Sequence, residues 1–214
     1  MSNSFDRCEN VLLLHCPQND VYAFRRPPTR KSTLPLLDQL VPDFTGSDVP
    51  GAIRCDKCGL MLNKWDPSIP ELSECMVSFD ISSTLDGLLI ASHQFRATYE
   101  KNQLRGLVFH SLKNCPRLYS VEITRSVPFD WVRRKTRFGE KCGKCGRNSY
   151  VVGAKPAFFK SEVLQLLANE FARSDLEFAD GDEMHPLLIC GSGAARALTE
   201  SKLSGIEFRE VNVT

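Results

Sequence analysis

Leu187-Leu188-Ile189-Cys190-Gly191-Ser192-Gly193-Ala194-Ala195-Arg196-Ala197-Leu198 reads as a strand, a cap and a helix in immediate succession. The apolar run has strand length, Ser192 offers a capping oxygen, and Ala194 and Leu198 stand four apart on one helical face. Outward from it, Gly205 supplies a turn with positive φ. A closing strand then alternates, with Ile206 and Phe208 inward and Glu207 and Arg209 outward. The same pattern occurs earlier in the chain. A shift of 99 residues lays 88–112 on 187–211 without a gap, and Leu88, Leu89, Ile90, Leu104, Gly106 and Phe109 then meet identical residues. In that earlier copy Ser92 is the cap, Phe95 and Tyr99 form the helix face, and Gly106 makes the turn. We therefore expect pseudo-repeats at 88–112 and 187–211. Two unrelated strand–helix–strand pieces of similar composition are the alternative.

Around these copies lie strand-like runs at 11–14, 21–24, 76–81, 119–124 and 150–152. Glu162 to Phe171 has the clearest amphipathic helical spacing, with Val163, Leu166, Leu167 and Phe171 on one face and Ser161 as cap. A short helix at 34–40, capped by Thr33, is also expected. Strands and helices do not alternate regularly enough for a doubly wound sheet, so the expected fold is a single α+β domain over 1–214. A composition of 42% hydrophobic and 25% charged residues is that of a globular chain with a real core.

The formal net charge is +1, which gives no global attraction to nucleic acid or an anionic membrane. Locally the balance splits. Residues 125–147 hold eight Lys or Arg against two acids, whereas 162–183 hold seven acids against Arg173. Either the two stretches neutralise each other or one faces a partner. The longest apolar runs fall far short of a membrane span, and Asp6 and Glu9 sit where a secretion signal would be basic. With nine cysteines and no such signal, a reducing, cytoplasmic setting is expected, with thiols serving metal or packing.

Two of the thiol pairs match. Cys55-Asp56-Lys57-Cys58-Gly59 and Cys142-Gly143-Lys144-Cys145-Gly146 each let one turn aim two sulfurs at a single cation, and two such turns give the tetrahedral sulfur site that zinc prefers. We expect a zinc-ribbon-like module from 52–66 and 138–150, with Cys55, Cys58, Cys142 and Cys145 as ligands and Lys57 and Lys144 offsetting their charge. Iron in a rubredoxin-like site shares this geometry and stays open. The 83 residues between the pairs (142 − 58 − 1) add about 4 kcal/mol of loop-closure cost. Structural zinc supplies about 10–16 kcal/mol. The other cysteines (Cys8, Cys16, Cys75, Cys115 and Cys190) lack partners at ligand spacing and are read as buried thiols.

Gly191-Ser192-Gly193 is too short for a phosphate loop, the four histidines form no metalloprotease pattern, and no paired carboxylates stand out, so no enzyme is expected. Trp131, Arg133, Arg134, Lys135 and Arg137 form a basic, aromatic stretch that suits a protein partner or a nucleic acid.

The sequence resembles the double-CXXCG motif family of bacteria through Cys55–Gly59, Cys142–Gly146 and the ending Leu203-Ser204-Gly205-Ile206-Glu207-Phe208-Arg209. Some members of that family are similar to immunity proteins. The resemblance implies a non-enzymatic binding protein whose partner is a toxin. The alternative is a zinc-ribbon protein that binds nucleic acid or regulates.

Overall fold

The computed structural model describes residues 11–15, 52–66, 79–83, 88–113, 115–161 and 168–213. Its strands are β1 (Val11–His15), β2 (Ile81–Ser83), β3 (Leu89–Ser92), β4 (Leu107–Leu112), β5 (Cys115–Ile123), β6 (Ser126–Val127), β7 (Arg137–Phe138), β8 (Tyr150–Val152), β9 (Phe158–Phe159), β10 (Phe171–Asp180), β11 (His185–Gly191), β12 (Glu207–Glu210) and β13 (Asn212–Val213). The helices are α1 (His93–Lys101), α2 (Trp131–Arg134) and α3 (Ser192–Glu200), and Gly181–Glu183 form a 3-10 turn. The fold is α+β and mostly strand.

A large sheet runs β12-β1-β11-β10-β8-β7, with β6 alongside β10, and a four-stranded sheet runs β2-β3-β5-β4. Strand β11 is buried on both faces because its residues alternate between two cores. Leu187 and Ile189 join Phe129, Phe159, Phe178 and Met184 on one side. Leu188 and Cys190 join Phe95, Leu104, Phe171, Ala194 and Leu198 under the helices on the other.

Two local devices keep this arrangement satisfied. The β10–β11 ladder shifts register between Arg173 and Glu177. Ser174, fully buried, spans that gap: its hydroxyl accepts from Leu187 N–H at 2.8 Å and donates to Leu176 O at 2.6 Å. Gly106, at φ +93, lets the chain touch the other sheet, since a Cβ there would lie 2.2 Å from the Phe171 carbonyl oxygen.

Several expectations change. The helix expected to end at Phe171 does not contain it. Phe171 opens β10 and pairs with Cys190, because its place in the sheet buries the ring completely. Residues 162–167 lie outside the described residues, as do the runs at 21–24 and 34–40. Of the strand expected over 76–81, Ile81 opens β2 and Phe79 and Asp80 form a bend, while 76–78 lie outside the described residues. Gly191, not Ser192, caps α3, and Ser192 is its first helical residue, whereas Ser92 caps α1 through Phe95 N–H at 3.1 Å.

Gly106→Ala is expected to cost at least about 2 kcal/mol, combining positive-φ strain with displacement of the β10 backbone. Gly181→Ala also has positive φ (+53), but nothing stands within 4 Å of its Cβ, and it should cost only about 1 kcal/mol. Chemical denaturation of the two variants checks the difference.

Candidate metal centre

Each matched cysteine pair sits on a short antiparallel arm. Arg54 bridges Met61 in the first, and Lys141 bridges Asn148 in the second. Within the arms, Cys55 N–H donates to Leu60 O (2.9 Å) and Gly59 N–H to Cys55 O (2.8 Å). Cys142 N–H donates to Arg147 O (2.8 Å) and Gly146 N–H to Cys142 O (2.9 Å). Each bond in one arm recurs 87 residues on (142 − 55), and Gly59 and Gly146 turn back at φ 77 and 75. The arms are the same structure built twice.

They meet at their sulfurs. Cys55 Sγ and Cys142 Sγ are 3.8 Å apart, and Cys58 Sγ and Cys145 Sγ 3.6 Å. All four sulfurs lie within 4.8 Å of one another. Metal–sulfur bonds of about 2.3 Å give a tetrahedron with edges of about 3.8 Å, so the donor set fits a four-thiolate cation.

Backbone N–H groups prepare the first sulfur of each arm. Those of Cys145 and Lys144 hold the Cys142 thiol down at about 6. Those of Cys58 and Lys57 lower Cys55 in the same way. At Cys58 the Leu60 N–H acts in that direction too, but desolvation and the neighbouring sulfurs outweigh it and push the thiol up to about 12. A cation entering here must displace that last proton, which couples metal binding to pH.

Of the two knuckle lysines expected to offset the thiolate charge, Lys144 also latches the arms together. Its Nζ stands 2.5 Å from Asp56 Oδ2. Both groups are well exposed, so the pair contributes at most about 1 kcal/mol. Lys57 reaches across the other way, with its Nζ beside Gly143.

A second set of contacts ties the first arm to the sheet through Asp182. One carboxylate oxygen accepts from Met61 N–H (2.9 Å) and the other from Arg54 Nη1 (2.7 Å). Lys64, buried, donates to the carbonyls of Asp182 and Met184. Arg147 then joins both arms to β10, donating to Met61 O and to Glu177 Oε2, each at 2.8 Å. Nothing local signals Asp182 or Lys64, whose hydrogen bonds described above reach residues more than a hundred positions away.

The basic stretch is divided. Arg125 pairs with Glu170 (2.6 Å) and Arg147 with Glu177 (2.8 Å), so the two stretches of opposite charge partly neutralise each other. Arg134 is half-buried and turns inward to the Lys155 carbonyl. Arg133, Lys135 and Arg137 are exposed and pair with no carboxylate among the described residues. Trp131 is 48% exposed and Val132 65%, with the Trp131 ring edge-on to Phe138 at 5.6 Å.

Of the remaining cysteines, Cys190 is a buried thiol pushed up to about 12 by desolvation. Cys115 corrects the expectation of a free thiol: it is disulfide-bonded. Among the described residues no helix is long and apolar enough to cross a membrane. The chain matches no protein-family model, no curated protein and no solved structure. The functional reading therefore rests on residues and geometry.

Elemental analysis of purified protein should give about one zinc or iron per chain, and Cys145→Ser should release it and lower stability by several kcal/mol. Asp182→Asn should cost about 1–3 kcal/mol without changing metal content, because it weakens the arm's attachment and leaves the sulfurs intact. Burial, assisted by the nearby Lys64 charge, lowers the His185 pKa against the opposing Glu183 carbonyl. The unfolded chain therefore binds this proton more readily, and the contribution is lost as pH falls below about 6.5. The stability difference between wild type and His185→Gln, measured from pH 8 to 5, should change over that interval.

Proposed function

We propose that this chain is a non-enzymatic, zinc-containing binding protein of the double-CXXCG kind, and that its partner is a cognate toxin which it neutralises by stoichiometric binding. The observation that carries the metal part is the convergence of four sulfurs at tetrahedral spacing from arms 87 residues apart. Zinc held by Cys55, Cys58, Cys142 and Cys145 would act as a clasp, fixing a zinc-ribbon-like module from 52–66 and 138–150. Its four thiolates leave no coordination position for a substrate, as in structural sites.

Partner binding is supported by Trp131, Arg133, Lys135 and Arg137. An exposed indole among cations that pair with no carboxylate among the described residues has the composition of an interface anchor and its rim. The second reading is single-stranded nucleic acid, favoured by the same indole, which could stack on a base while the cations follow the phosphates.

Co-expression with a toxin encoded beside this gene, scored by growth, tests the first reading. Protection is expected, and Trp131→Ala should weaken the complex at least tenfold while retaining metal. Arg137→Gln, at the rim, should mainly slow association and reduce its salt dependence. Absence of protection and of a complex would sink the immunity reading. Nucleic-acid affinity that falls steeply with salt would establish the second.

A further inference from the structure

We infer that the slot between β11 and β12 is a binding site for an extended apolar strand, filled in this chain by its own N-terminal β1. The grounds are a correspondence between the two sheets that holds residue by residue.

Helices α1 and α3 are each nine residues long and begin 99 residues apart (192 − 93). Their ends are the same. Asn102 N–H donates to Thr98 O and Ser201 N–H to Ala197 O. The next residues, Gln103 and Lys202, take φ 52 and 53, and Gly106 and Gly205 follow at φ 93 and 76. Strand β2 stands to β3 as β10 stands to β11: Ile81 pairs with Ala91, and Phe171 with Cys190, 99 residues after Ala91. The two units also touch reciprocally. A Cβ on Gly106 would meet the Phe171 carbonyl oxygen at 2.2 Å, and one on Gly205 the Ile81 carbonyl oxygen at 2.5 Å.

In the first unit β5 lies between β3 and β4. Val121 pairs with Leu89 on one side and Phe109 on the other; Ser120 pairs with Ile90 and His110. In the second unit the middle place belongs to β1. Leu14 pairs with Leu188 and Phe208; Leu13 pairs with Ile189 and Arg209. Each of these partners is the first unit's partner moved on by 99. Both neighbours thus assign Leu14 to the place of Val121 and Leu13 to that of Ser120. The order β2-β3-β5-β4 becomes β10-β11-β1-β12 with every adjacent pair antiparallel in both.

The connection is what differs. Strand β5 follows β4 within a few residues, so a hairpin-like link delivers it. After β12 the chain instead sends β13 to pair with β9, and the slot receives a strand from the other end of the sequence. Ladder pairing to two strands, with Leu12 and Leu14 in register with Cys190 and Leu188, holds that strand in place without a short link to impose it. The ligand class is therefore an extended segment, antiparallel to both neighbours, with apolar residues at the two alternate positions that Leu12 and Leu14 occupy.

The test uses the full chain with a protease site inserted between Pro28 and Thr29, cleaved after folding and kept reduced so that no disulfide tethers the fragment. The fragment carrying β1 should remain bound at 1:1 in gel filtration, with amide protection of 187–191 and 207–210 unchanged. A labelled peptide spanning residues 8–18 should exchange into the cleaved complex saturably. The same peptide carrying Leu12→Asp and Leu14→Asp should bind at least a hundredfold more weakly. Release of the fragment on cleavage, whatever the state of the remainder, overturns the inference, as does equal exchange by both peptides.

Discussion

Strand β11 is covered on both faces, and most of the molecule is arranged by that requirement. Its alternate residues enter two different cores, so each face needs a layer of its own. Helices α1 and α3 with the four-stranded sheet supply one layer. The Phe129–Phe159–Phe178 cluster, whose rings meet edge to face, supplies the other. A strand in this position reads as a continuous apolar run and not as an alternating one, as Leu187-Leu188-Ile189-Cys190 does. It also tolerates no unsatisfied backbone group, and for that reason the shift in the β10–β11 ladder is filled by the Ser174 hydroxyl.

The candidate metal centre is assembled from this scaffold at one remove. The arms carry their own turn geometry, repeated bond for bond, and the N–H groups of those turns already favour thiolate at Cys55 and Cys142. Turn geometry alone does not bring two arms together across 83 intervening residues. Asp182, Lys64 and Arg147 do so, by fixing one arm to the end of β10 and then joining the other to it. Metal affinity and the packing of the β10–β11 region are consequently coupled: whatever holds Asp182 in place also presents Cys55 and Cys58 to their partners.

Charge follows the same economy. The basic and acidic stretches are adjacent in space as well as opposite in sign, and Arg125–Glu170 and Arg147–Glu177 use them to close gaps between elements. Among the described residues Arg133, Lys135 and Arg137 take no part in that pairing, and they lie beside an indole only partly covered by Phe138. A surface with unneutralised cations and a rigid aromatic is poor at stabilising the fold and suited to contact with something else.

The sequence by itself determined what depends on neighbours a few residues away. The cysteine knuckles, the caps and turns at Ser92, Gly106 and Gly205, the strand at 150–152 and the start of the apolar strand at Val11 were legible because spacing and backbone freedom are local properties. Six identities at a spacing of 99 raised the expectation of pseudo-repeats at 88–112 and 187–211 and said nothing of how their strands pair. Tertiary structure alone decided that Phe171 begins a strand, that Arg134 faces inward, that Cys115 is bonded, that Asp182 holds the first arm, and that β1 lies between β11 and β12. Each of these outcomes depends on a partner distant in the chain, and burial against that partner outweighs the small local preferences from which a sequence is read.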